Sequence, residues 1–272
     1  DANEPLERFR KSFWQGSELR SGYLGDLGDA GGGLNRSFWE ANVAMAVPLG
    51  SLTNLKNVLV IRPQFRADYL DGPTAIDVPE TLYSTGVLLL NRYQWTSRLS
   101  TLVSVTPSVR SDFTTSQDAV RVMGFGLVNW DAIPKRLALS AGAVYLDRSD
   151  LSVLPAIGLT WTPSPDLRIE LMAPKPRIAK RFFKDGPREE RWGYVAATIG
   201  GNSWAVSRSS GANDVLTLSE FRLLLGYERL RAGNRGWSIE TGWAFDRSIE
   251  YDNQPIDINL DDAVFIEASL RF

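Results

Sequence analysis

The sequence predicts an all-β chain closed into an antiparallel up-and-down transmembrane β-barrel, and three observations lead there. Apolar residues fall on every second position through most of the 272 residues. Short and long connections alternate between these segments, as they do between the two rims of a membrane barrel. No apolar run approaches the roughly 20 residues that a spanning helix needs.

Taken in order, residues 1–13 form a segment ahead of the barrel, predicted to be periplasmic, and residues 14–272 form one barrel domain. The opening "DANEPLERFR" reads as a mature N-terminus after a leader has been removed. Trp14–Leu24 is the first strand. The glycine-rich "GDLGDAGGG" after it lacks the Lys-Ser/Thr of a phosphate loop and precedes no helix, so it reads as a loop. Strands follow at Leu34–Val47, Asn57–Tyr69, Leu82–Tyr93, Arg98–Arg110, Ala119–Asn129, Arg136–Arg148, Ser152–Thr162 and Leu167–Pro174. The rest are Arg191–Ile199, Asn202–Arg208, Leu218–Arg229, Gly236–Asp246 and Ala263–Phe272. Lys175–Glu190 and Ser209–Thr217 read as long polar loops.

This makes fourteen strands, an even number as single-chain bacterial barrels have. The count depends on Gly200–Gly201 being a two-residue hairpin turn. If "TIGGNSWAV" is one bent strand instead, the count becomes twelve. Fourteen keeps the short and long connections in step.

The two faces of each strand differ in kind. One is apolar, with aromatic residues near its ends: Trp39, Tyr69, Tyr93, Tyr145, Trp161, Tyr227, Trp237, Trp243, Phe245 and Phe272. Rings at strand ends suit the two interfaces of a bilayer. The other face is Arg, Ser, Gly, Ala and Glu, and the chain holds 24 Arg against 6 Lys. A soluble β-sandwich or lipocalin-like barrel would carry Lys, Glu and Thr on a wetted face. Small residues and Arg suit an enclosed polar lumen. The predicted pore-lining residues are Arg62, Arg66, Arg98, Arg110, Arg121, Arg136, Arg148, Arg168, Glu170, Glu220, Arg222 and Glu240. Rings of Arg favour anions and rings of Glu favour cations.

Composition excludes several functions. There is no Cys and no His, so neither thiolate chemistry nor a Ser-His-Asp device is available. Barrel phospholipases and barrel proteases both need His, and the chain is therefore not expected to be an enzyme. No cofactor and no metal are expected: the acidic "YDNQPIDINLDD" lacks the ordered spacing of a calcium loop. A net charge of −2 makes no case for nucleic acid.

The closing segment "VFIEASLRF" resembles the terminal signature of bacterial outer-membrane β-barrels, with apolar residues alternating back from a last-position Phe. "LTWTPSPDLRIELMAPKPRI" resembles the strand–turn–strand hairpins of poorly characterised porin-like families. The resemblance implies that Val264, Ile266, Ala268, Leu270 and Phe272 are read by the outer-membrane assembly machinery. It implies residence in the bacterial outer membrane.

The expected function is a porin-like channel for passive diffusion of small polar solutes, with a mild anion bias from inward Arg. The first alternative is a structural or partner-binding barrel with a plugged lumen. The second is a soluble β-sandwich binding module. Expected partners are outer-membrane lipid, the assembly machinery, the solutes themselves, and either a second copy of the chain or another envelope protein.

Overall fold

A computed structural model describes residues 4–28, 33–50, 56–147, 152–253 and 258–272. Its strands are β1 (Trp14–Asp26), β2 (Asn35–Pro48), β3 (Asn57–Asp71), β4 (Thr81–Gln94), β5 (Leu99–Ser111), β6 (Val120–Ile133), β7 (Leu137–Tyr145) and β8 (Val153–Ser164). They continue with β9 (Leu167–Leu171), β10 (Arg177–Asp185), β11 (Glu189–Ser207), β12 (Asn213–Arg231), β13 (Arg235–Tyr251), β14 (Ile258–Leu260) and β15 (Ala263–Arg271).

Each strand from β1 to β12 pairs antiparallel with the next, and β13 pairs with β15. The ring then closes: Glu18–Asp26 of β1 run along Ala263–Arg271 of β15, so neither end strand is left as an open edge. Fourteen strands make the ring. The short β14 pairs with the upper part of β13 and lies outside it.

The predicted number is right, but two of the segments behind it are wrong and cancel. Arg177–Asp185, predicted as loop, is β10. Its alternation is hidden by charged residues and by a bulge between Arg181 and Phe183, which leaves Phe182 and Phe183 both exposed. Gly200–Gly201, predicted as a hairpin turn, lies inside β11, which continues to Ser207. Gly201 has φ +109°, and a Cβ there would stand 2.0 Å from the Leu218 carbonyl oxygen. The glycine pair therefore permits a bend and a close strand approach. Most of the predicted loop Ser209–Thr217 is likewise strand, because β12 begins at Asn213.

Polarity is inverted relative to a soluble domain. Ile157 is 81% exposed and Val120 69%, while Asp68 is fully buried and Arg247 is 3% exposed. This inside-out arrangement and the closed ring replace the soluble sandwich. Aromatic rings belt both ends of the outer face. On the loop side Trp39, Phe65, Tyr83 and Phe113 form a chain with centroids 4.6–6.2 Å apart. On the turn side Tyr93 meets Trp95 at 4.6 Å and Tyr227 meets Trp237 at 5.4 Å.

The end of the β11–β12 hairpin does not stand upright in the wall. Residues 203–206 and 214–218 are buried in unbroken runs, so neither face of the ribbon is free. Ala205 pairs parallel with Ser111 of β5, a strand on the far side of the ring. The hairpin thus crosses the loop-side mouth. It packs Trp204, Val206, Leu216 and Leu218 against Leu34, Leu70, Ile76, Leu82, Ile249, Tyr251 and Leu260.

Candidate functional site in the barrel lumen

The ladder register brings inward side chains into rows. Residues directly opposite one another across strands run Arg20 (β1), Glu40 (β2), Arg66 (β3), Ser84 (β4) and Arg110 (β5). The charges alternate as far as β3, as cross-strand pairing favours. The next row runs Glu267 (β15), Gly22, Phe38 and Asp68. The Arg66 guanidinium lies over the Phe38 ring at 3.7 Å.

On β12, β13, β15, β1, β2 and β3 these rows join into one ion-pair network. Arg66 forks onto both oxygens of Asp68 at 2.7 Å. Arg36 reaches Glu220 at 2.7 Å, Arg20 reaches Glu267 at 2.6 Å, and Arg222 reaches Glu267 at 2.5 Å. Arg247 sits 3.6 Å from Glu220 and donates to the Leu34 carbonyl at 2.8 Å. Buried charges are tolerated in such an arrangement because each cation has a carboxylate, and planar guanidinium suits the fork geometry better than ammonium would. This accounts for the excess of Arg over Lys.

The wall of β5–β8 is different. On β5, β7 and β8 many inward positions are small: Ser100, Ser104, Ser108, Ala138, Ser140, Gly142, Ala156 and Gly158; β6 instead turns Arg121, Met123, Phe125, Leu127 and Asn129 inward. Beneath the hairpin, between the charged wall and Ser108 and Arg110 of β5, lies a cavity of about 410 Å³. It is lined by Arg20, Arg66, Arg110, Lys175, Arg222 and Glu240, among others.

The turn-side mouth is also occupied. Leu6 packs with Trp192 and Leu230, and Glu7 accepts from the Gly233 N–H at 2.9 Å. Arg10 donates to the Gly233 carbonyl at 2.8 Å, and Arg8 lies 3.7 Å from Glu190.

At the loop side, residues outside the spanning strands clasp the hairpin. Burial alone would raise the Asp77 carboxyl, but hydrogen bonds from Arg208 (2.6 Å) and from the Ser209 N–H (3.1 Å) hold it below its ordinary range. Asp112 behaves in the same way: burial opposes its charge, and N–H groups of Ser207, Thr114 and Thr115 outweigh that.

The predicted lining residues divide into five groups. Arg66, Glu220, Arg222 and Glu240 fall within the charged wall or beside the cavity, Glu240 pairing with Lys175 at 2.5 Å. Arg168 and Glu170 pair at 2.7 Å, and Glu170 also holds Arg177. Arg62, Arg110 and Arg121 have no carboxylate within ion-pair distance among the described residues. Arg98 and Arg136 sit exposed in the turns ahead of β5 and β7. Arg148 lies outside the described residues.

Four important members escaped the sequence reading. Arg20, Arg36 and Glu40 follow the alternation of β1 and β2 and were legible in it. Arg247 was not, because Asp246 (φ +49°) is a bulge that reverses the inward parity of β13. Among the described residues, no cluster of Asp, Glu, His or Cys is arranged to hold a metal ion.

No family model and no curated protein matches this chain. Among solved structures, a variant of the Rh. blastica porin has a TM-score of 0.34 at 8% identity, over 94% of this chain and 99% of that one. Salmonella typhi OmpF in complex with daunomycin has 0.34 at 6% identity, over 94% and 96%. The siderophore receptor PirA from Pseudomonas aeruginosa has 0.25 at 9% identity, over 99% and 81%. Scores this low carry no conclusion about function.

Proposed function

We propose that the chain is a porin-like channel of the bacterial outer membrane, rather than an enzyme, and that it passes small polar solutes by diffusion. The observation that carries the proposal is the contrast between an apolar outer face with two aromatic belts and a charged interior around a cavity of about 410 Å³. The passage would follow the cavity past Ser84, Ser108 and Gly200–Gly201. Its bias would be toward anions, because Arg62 of β3, Arg110 of β5 and Arg121 of β6 face inward with no carboxylate at ion-pair distance among the described residues. Assembly would use the outward row Val264, Ile266, Ala268, Leu270 and Phe272, all exposed on the closing strand.

A specific observation favours a second reading, a partner-binding barrel with a closed lumen. The β11–β12 hairpin crosses one mouth and residues 6–10 cover part of the other. Planar-bilayer recording separates the two. Discrete conductance steps from the intact chain support the channel. Silence in the intact chain, with steps appearing once residues 204–215 are replaced by a short turn, supports the plugged barrel.

A further inference from the structure

Five of the cations facing the cavity each have a carboxylate close by. Arg20 has Glu267 at 2.6 Å, Arg36 has Glu220 at 2.7 Å, Arg66 has Asp68 at 2.7 Å, Arg222 has Glu267 at 2.5 Å, and Lys175 has Glu240 at 2.5 Å. Arg110 breaks the pattern. It is 7% exposed, yet within bonding distance it has only the Asn202 side-chain oxygen and, at 2.9 Å, the Met123 sulfur, while the Asp147 carboxylate acts on it from beyond ion-pair distance. The register explains the gap. In the row Arg20–Glu40–Arg66–Ser84–Arg110, Ser84 stands where the alternation calls for an acid. Its hydroxyl oxygen accepts from the Trp204 indole N–H at 3.0 Å. Arg121 lies on the same inward face of the neighbouring strand and adds a second positive charge, its Nε buried without a hydrogen-bond partner.

We infer that Arg110 is an anion-binding site within the lumen, and that its ligand is the carboxylate of a short-chain acid. A buried guanidinium with no ion-paired carboxylate is costly, and a ligand supplying two oxygens in its plane lowers that cost. The Asn202 oxygen holds the place of one ligand oxygen while the site is empty. Leu224, Pro174 and Trp204 on the cavity wall give a short carbon chain an apolar surface. The inference rests on the proposal that solutes enter the lumen. It deepens that proposal by assigning the anion preference to one residue.

The test uses the folded barrel in detergent and the fluorescence of Trp204, the buried indole at the cavity. Sodium acetate replaces sodium chloride at constant ionic strength. A saturable change is expected, lost in Trp204→Phe. Arg110→Gln should weaken the midpoint at least about tenfold, the loss of a charge-assisted hydrogen-bond pair. Ser84→Asp, which supplies the missing acid and leaves Arg110 in place, should weaken it similarly. Arg136→Gln, in an exposed turn, should change nothing. Heat-modifiable migration checks that each variant is folded. Equal midpoints in the original chain and in both Arg110→Gln and Ser84→Asp would overturn the site, as would the absence of any saturable change. Acetate binding without conductance would uphold the site and remove the channel. Anion-biased conductance with no acetate binding would do the reverse.

Discussion

The two inner walls of this barrel are built on the same backbone ladder and reach opposite solutions. The wall of β12, β13, β15, β1, β2 and β3 is filled by large charged side chains that answer one another along and across strands. The wall of β5–β8 carries Ser, Ala and Gly on β5, β7 and β8 and larger side chains such as Met123, Phe125 and Leu127 on β6, with few ion pairs among the described residues. The first wall stabilises and orients; the second meets the lumen cavity only through Ser108 and Arg110. Inward polarity alone therefore does not identify a pore lining. What distinguishes a filling charge from a conducting one is whether a carboxylate lies within ion-pair reach, on its own strand, beside it or across the lumen.

Four experiments can break or sharpen this contrast. The largest effect is expected on the charged wall. Glu220 is buried and serves Arg36, Arg222 and Arg247 together. Glu220→Gln leaves guanidinium groups uncompensated and should cost about 3–5 kcal/mol in denaturant unfolding of the refolded barrel. On the small wall, Ser108→Trp narrows the side that borders the cavity. It should reduce single-channel conductance by roughly half or more, since conduction there depends on pore width. Ser140→Ala, on the same wall, loses only the 2.6 Å hydrogen bond to Asn129 and should cost about 0.5–1.5 kcal/mol. If Ser140→Ala destabilises as much as Glu220→Gln, the division between walls fails.

The smallest effect concerns acid. The Asp77 carboxyl lies below its ordinary 3.8 in the folded chain, so its hold on Arg208 is complete above about pH 4 and is lost as pH falls through the folded value. The hairpin should loosen in that window, seen as a red shift of Trp204 emission. Asp77→Asn should show the shift already at neutral pH and no further acid step. A step unchanged in Asp77→Asn would show that the clasp does not hold the hairpin.

Much of the fold was legible because period-2 alternation survives wherever strands stay regular. β3, β5, β7 and β15 keep their predicted faces, and Val264, Ile266 and Leu270 are exposed on the outer face as the alternation requires. Legibility fails where a bulge changes parity. Phe182 in β10 and Asp246 in β13 each insert a residue, which hid one strand and reversed the inward set of another. Gly200–Gly201 misled for a different reason: a glycine pair permits a tight turn or a close approach, and only tertiary packing decides between them. For the lumen, alternation could give a side chain's face but not its cross-strand partner. Arg66 and Arg110 therefore looked equivalent in sequence. One proved to be neutralised by Asp68 and the other to stand beside Ser84.

The most direct measurement of the central claim is the reversal potential of the intact channel in a tenfold potassium chloride gradient. The expected potential has the anion-selective sign and is moved toward zero by combined Arg62→Gln, Arg110→Gln and Arg121→Gln, the inward arginines without an ion-paired carboxylate. A cation-selective potential, or an anion-selective one unchanged by the triple substitution, would contradict it.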